Sequence, residues 1–221
     1  MSSNEKIVLN QDTQLLKLIA VITMVIDHIG AILFPNVLIL RVIGRLSFPL
    51  FAFSTFIGYF KTKNLKKYLL RLLILAVISQ PIYMIAFDRF YLSLNIFFTL
   101  IFELIIIYLL DKKKWWYLPI PVALMFLLNV NYCEQLLILI PIFYYTRSKD
   151  FLFALSMITF YFNYAVSYST GTVPIAIYSF GIFALPFMII KTKSNIKINK
   201  WFYYIFYPVH LLILLAIKYI I

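Results

Sequence analysis

Apolar runs of about 18 to 20 residues follow one another from residue 15 to residue 221, and that length is what a helix needs to cross a bilayer. Backbone polar groups have no water to bond in hydrocarbon, so each run must close its own hydrogen bonds as an α-helix. With 64% hydrophobic and 13% charged residues, the chain has little left over for a soluble domain. The sequence therefore predicts an all-α, polytopic transmembrane helix bundle: one integral-membrane domain over 1–221, with 1–14 as a short cytoplasmic N-terminal segment. The first run lacks a short hydrophobic region followed by a small-residue cleavage site and carries Asp27 and His28. It is expected to stay in the membrane.

Nine spans can be drawn, at 15–35, 42–60, 67–87, 93–110, 115–129, 132–145, 151–166, 174–190 and 201–221. The fifth to seventh are short, and a re-entrant fifth and sixth pair would lower the count by two. With the N-terminus inside, 16 of the 20 Lys and Arg fall inward, and only Arg41, Arg45, Arg89 and Lys218 fall outward. That asymmetry follows the positive-inside rule and predicts a cytoplasmic N-terminus and an external C-terminus in a cell (inner or plasma) membrane. The basic residues punctuate apolar runs instead of lining a stripe with stacking residues, so the net charge of +12 does not imply a nucleic-acid partner. Pro49, Pro81, Pro141, Pro186 and Pro208 are expected to kink helices.

Ionisable residues at membrane depth are costly and mark a functional site or a buried ion pair. Here they are Asp27, His28, Arg45, Arg71 and His210. Asp27 and His28 are adjacent on one helix, hence about 100° apart, and need separate partners. Asp27 is matched by Arg41 or Arg45, which share a face at i,i+4 on the next helix. His28 is then free to act as a base near neutral pH. The alternative is a structural ion pair beside a hydrogen-bonded core histidine. His210, two residues after Pro208, has the same two readings. Arg71, with Lys66 and Lys67, is a seat for phosphates entering from the cytoplasm or a group snorkelling to the headgroups.

Asn95 and Thr99 share a helix face at i,i+4, with Glu103 one turn deeper. Interhelical hydrogen bonding is the default role for the first two, and Glu103 requires a cationic partner or a proton. The one cysteine, Cys133, reads as a free buried thiol. Two histidines on the first and last spans do not support a metal site. No HExxH, P-loop, GxSxG or dinucleotide fingerprint occurs.

Lys17-Leu18-Ile19-Ala20 leading to Asp27-His28-Ile29-Gly30, the stretch Arg41-Val42-Ile43-Gly44-Arg45-Leu46-Ser47-Phe48-Pro49-Leu50-Phe51-Ala52-Phe53, and Lys67-Tyr68-Leu69-Leu70-Arg71-Leu72 together resemble the TraX family. The segments 95–99 and Phe206-Tyr207-Pro208-Val209-His210 extend the resemblance to the last helix. It implies a polytopic acetyltransferase like the one that acetylates a pilin N-terminus, distantly similar to membrane acyltransferases of surface glycans. The implied donor is acetyl-CoA or another acyl-CoA. His28 is the implied base, with Asp27 and His210 in the catalytic group. Arg71, Arg45 and Arg41 are implied donor-binding or supporting groups; Lys67, from the basic cluster beside Arg71, joins the expected donor-binding set, and Asn95, Thr99, Tyr207 and Tyr132 are expected to give substrate or structural support. Asn131-Tyr132-Cys133-Glu134 departs from the family's pattern at the acceptor side.

The function expected is transfer of an acyl group from acyl-CoA to an acceptor at the cell envelope, whether a peptide amine, a glycan or a lipid. A small transporter or flippase using the intramembrane polar residues is the alternative, and a non-catalytic assembly factor the third.

Overall fold

The computed structural model describes residues 6–87, 93–168 and 177–220. Regular structure in them is helical; the extended backbone contributes one isolated bridge, between Leu94 and Val130. The helices are α1 (Thr13–Ile32), α2 (Leu38–Gly44), α3 (Ser47–Lys61), α4 (Leu65–Ala86), α5 (Ile96–Asp111), α6 (Pro119–Leu127), α7 (Cys133–Thr146), α8 (Asp150–Tyr168), α9 (Leu185–Ile189) and α10 (Lys200–Ile220). A 3-10 turn at Trp115–Tyr117 precedes α6, and a 3-10 segment at Ile177–Ala184 leads into α9.

Among the described residues, four helical stretches are long and apolar enough to cross a membrane: Thr13–Ile32, Leu38–Lys61, Leu65–Ala86 and Trp201–Ile220. The expected fifth to eighth spans correspond to the shorter Trp115–Leu127, Cys133–Thr146, Asp150–Asn163 and Ile177–Ile189. At the rise of an α-helix, the 14 residues of α7 cover about 21 Å, less than a hydrocarbon core of about 30 Å. Arg89, and the start of the expected eighth span at residue 174, lie outside the described residues.

The expected second span is broken at Arg45 and Leu46, between α2 and α3. Pro49 accounts for the break. It has no amide to donate, and its ring occupies the space of the carbonyl four residues earlier, which is that of Arg45. Pro186 lies in the first turn of α9, whereas Pro81, Pro141 and Pro208 stay inside continuous helices.

α1 and α10 begin at the same end of the bundle and run parallel: Tyr203 Oη meets Gln14 near both starts, and His28 meets His210 further along. That starting end also gathers the end of α3, where Lys61 donates to the Gln11 carbonyl, and the end of α5, where Tyr59 Oη bonds Asp111. Asp12 caps α1 and Asn64 caps α4 there. The opposite end holds α2, the end of α4, and the start of α5 capped by Asn95. Leu70, Leu73, Ile74, Val77 and Ile78 form an exposed stripe on α4, while Leu72, Ala76 and Ser79 on its other face are buried. Such a stripe suits a lipid environment. Trp116, 90% exposed two residues after the run Lys112 to Lys114, has the placement of an interfacial anchor.

Candidate functional site

Asp27 and His28 diverge on α1. The Asp27 carboxylate takes Arg41 Nη1 at 2.8 Å on one oxygen and Arg45 Nη2 on the other, so both arginines are its partners. Arg41 Nη1 also donates to the Asp27 carbonyl at 3.0 Å, and Arg45 Nε to the Arg41 carbonyl at 3.1 Å. The helix break places Arg45 here, where its guanidinium lies 4.8 Å from the Tyr178 ring centroid. Gly30 lets α2 approach α1, because a Cβ there would come within 2.7 Å of Leu40 Cβ.

His28 turns to α10. Its Nδ1 lies 2.8 Å from His210 Nε2, and His210 Nδ1 donates to the Phe206 carbonyl at 2.9 Å. Phe87 and Tyr207 stand nearly perpendicular to the His28 ring, in T-shaped contacts at centroid distances of 5.1 and 6.2 Å. A cavity of about 400 Å³ opens beside this pair, lined by Asp27, His28, Arg41, Tyr83, Tyr132 and Tyr207 among others. That volume lies within the usual range for small-molecule sites. Asn131 and Glu134 also line it. Cys133 lines it too and is half-buried, so the expectation of a buried thiol is corrected: the turn before α7 brings it to the cavity wall.

Hydrogen bonds fix this wall. Thr99 Oγ1 donates to the Asn131 carbonyl at 2.8 Å and Asn131 Nδ2 to Tyr83 Oη at 2.7 Å. Asn95 Nδ2 bonds the Ala76 carbonyl at 2.8 Å, joining α5 to α4. Asn95 thus makes the interhelical bond expected of it, whereas Thr99 bonds the turn before α7 instead of a helix, and neither lines the cavity. Tyr132 holds a left-handed backbone, φ 57°, with its ring stacked 4.2 Å from Phe48. A left-handed tyrosine costs roughly 1 to 2 kcal/mol, which the stacking and the fixed wall offset.

A second cavity, about 100 Å³, lies toward the other end and is lined by Gln14, Lys17, Thr55, Tyr68, Tyr203 and Tyr204 among others. Met24, Phe51, Ile96 and Tyr207 line both cavities and form the partition between them. Arg71 stands behind the second cavity, its Nε donating to Tyr204 Oη at 3.3 Å. Lys67 is exposed and lines neither. The four expected donor-binding residues therefore do not gather: Arg41 and Arg45 lie at one end, Arg71 and Lys67 at the other. Lys17 and Tyr203, which carried no site expectation, line the second cavity; the only sequence signal was a lysine one turn into an apolar helix. Glu103 is fully buried, and neither of its carboxylate oxygens has a hydrogen-bond partner among the described residues. No cluster of metal-ligating residues occurs among the described residues.

The family model described as TraX protein matches residues 12–218. The chain belongs to the TraX family. It is similar to a "Probable fimbrial assembly protein FimC, serogroup H1" of Dichelobacter nodosus, 31% identical over 232 residues that cover 92% of this chain and 94% of the relative. It is also similar to "Uncharacterized protein RP591" of Rickettsia prowazekii (strain Madrid E), 43% identical over 86 residues, 39% of this chain and 32% of that protein. No solved structure matches the chain. The TraX match takes in Asp27, His28, Arg41, Arg45 and His210, and so the whole polar cluster between α1, α2 and α10.

Proposed function

We propose that this TraX-family protein is an integral-membrane acyltransferase that moves an acetyl or other acyl group from acyl-CoA to an amine or hydroxyl acceptor at the cell envelope. The observation that carries the reading is the pair of cavities at opposite ends of the bundle, meeting at a four-residue partition beside His28. Met24 lies one helical turn before His28, about 6 Å away along the axis. A thioester carbon at the partition is then close to the imidazole.

The smaller cavity takes the thioester end of the donor, and the nucleotide phosphates rest outside it near Lys17, Lys61 and Arg71. The acceptor enters the larger cavity. His28 removes the proton from its amine or hydroxyl as the nitrogen or oxygen bonds to the thioester carbon. The tetrahedral oxyanion collapses with cleavage of the carbon–sulfur bond, and the departing CoA sulfur receives the proton His28 took. Arg41, on the cavity wall, is the cation placed to favour the oxyanion.

The basic residues Lys17, Lys61, Arg71, Lys112 and Arg147 belong to the end where α1 and α10 begin, which supports a cytoplasmic position for that end and an outward opening for the larger cavity. General-base catalysis contributes about 10²- to 10⁴-fold. Purified protein in lipid should release CoA from acetyl-CoA when envelope acceptors are supplied, and His28→Ala should lose most of that release while remaining in the membrane. Undiminished release by a well-folded His28→Ala protein would remove the histidine from the mechanism.

The same partition favours a second reading, a small transporter with a site open to each side in turn. Acyl-CoA consumption separates the two, since a transporter leaves the thioester intact.

A further inference from the structure

The two histidines are not equivalent. His28 lines the larger cavity, and His210, 5% exposed, does not. Their rings are 7° from parallel with centroids 5.0 Å apart, yet their nearest nitrogens are 2.8 Å apart. Parallel rings at stacking separation cannot approach so closely, so the pair meets edge to edge and the nitrogen–nitrogen contact is a hydrogen bond near the ring planes.

A carbonyl oxygen can only accept. Phe206 O, 2.9 Å from His210 Nδ1, therefore requires a proton on that nitrogen. In neutral His210 this leaves Nε2 bare, and Nε2 can only accept from the atom facing it. His28 Nδ1 must then carry the proton of the shared bond, and neutral His28 has its lone pair on Nε2. With Nδ1 turned to α10, Nε2 is the ring nitrogen left for a group in the cavity.

We infer that His210 is a positioning residue that locks His28 in the tautomer protonated on Nδ1, making His28 Nε2 the atom that accepts the acceptor's proton. The chain of bonds runs Phe206 carbonyl, His210, His28, cavity. The Phe206 carbonyl holds the order of donors, as a carboxylate does when it orients a catalytic imidazole. Aromatic neighbours hold the rings in plane: Phe206 lies 10° from parallel to His210 at 5.2 Å, and Phe87 and Tyr207 flank His28. The catalytic consequence rests on the acyl-transfer reading; the tautomer does not.

The chain has two histidines, so nitrogen NMR on histidine-labelled protein in lipid, at mildly alkaline pH, can be assigned by removing one at a time. Both imidazoles should show a protonated Nδ1 and a bare Nε2. In His210→Leu, His28 should become a mixture that includes protonated Nε2. A proton on His28 Nε2 in the wild-type protein overturns the lock whatever the activity. In kinetics, His210→Leu should lower kcat by roughly 10²- to 10⁴-fold, the scale of a wrong-tautomer histidine, with KM for acyl-CoA unchanged. His210→Gln, whose amide oxygen can accept from His28 Nδ1, should keep kcat within about tenfold of wild type. Equal losses in the Leu and Gln variants, with the fold intact, would also overturn it. A locked tautomer in a protein that consumes no acyl-CoA would preserve this inference and sink the acyltransferase.

Discussion

Gly44 lies so close against Asp27 that a methyl group on its Cα would overlap the carboxylate. The two arginines hold that carboxylate from one side and the bare glycine backbone closes the other. Gly44→Ala should therefore unseat Asp27 from Arg45, leaving charges buried without their partners. Breaking a buried pair costs about 3 to 5 kcal/mol, so the variant should melt well below wild type in a thermal-stability assay in lipid. A melting temperature unchanged from wild type would mean the pair tolerates displacement.

The partition predicts acyl selectivity. If the acyl group lies against Met24, Phe51, Ile96 and Tyr207, trimming one of them lengthens the space available to it. Phe51→Ala and Met24→Ala should raise turnover of butyryl-CoA relative to acetyl-CoA. A single added methylene in an apolar site alters selectivity by roughly 10- to 200-fold, so competition between the two donors is sensitive enough to detect the change. An unaltered ratio in both variants would place the acyl group elsewhere.

Much of this arrangement was legible in the sequence, and the reasons are local. Asp27 next to His28 dictates divergent directions, and Arg41 with Arg45 at helical spacing dictates a common one; both follow from α-helical geometry alone. Pro49 was a visible breaker, but whether it bends a span or splits it depends on how Arg45 is held, which involves α1 and the Tyr178 ring. Lys17 illustrates the limit most clearly. Its cavity forms from α1, α3, α4, α5 and α10 together, and no spacing within one helix encodes that meeting. Nor could spacing reveal that His28 faces His210, since 181 residues separate their positions and only the parallel run of α1 and α10 unites them.

Cys133 offers a direct test of orientation. It is the chain's one cysteine and stands half-buried on the wall of the larger cavity. If that cavity opens outward, a membrane-impermeant maleimide added to intact cells should label it, and a ligand occupying the cavity should slow the labelling. Labelling that requires access from the cytoplasm would invert the proposed topology.

Asp12 gives the bundle a pH-dependent clamp. Its Oδ1 accepts from the Leu15 amide at 3.1 Å, capping α1, and its Oδ2 accepts from the Ser194 amide at 2.6 Å. Burial pushes the carboxyl up, but the bonds from Ser194 and the first turn of α1 outweigh it and hold the group below the ordinary carboxylate value. A depressed acid stabilises the fold fully above its unfolded value, and the contribution is lost as pH falls through the lower folded value. Asp12→Asn should thus be less stable than wild type at pH 7, and the gap should close on acidification below about pH 4. Melting curves of the two proteins across that range would show it, and a gap independent of pH would assign the effect to something other than charge.

Glu103 makes the opposite case, a costly group with no evident partner. It lines neither cavity, and it is buried with both oxygens unbonded among the described residues. An unsatisfied buried polar group costs about 1 to 3 kcal/mol, and the neighbouring Phe102, Leu104 and Ile107 are buried apolar residues. Glu103→Leu should therefore raise thermal stability by a similar amount, and Glu103→Gln should do so less, since the amide remains polar. Neither change should alter CoA release if the reaction's proton passes only between acceptor, His28 and the CoA sulfur. Loss of turnover in a stabilised Glu103→Leu protein would instead put a second proton carrier on α5, and the step in which His28 returns its proton would have to be rewritten through it.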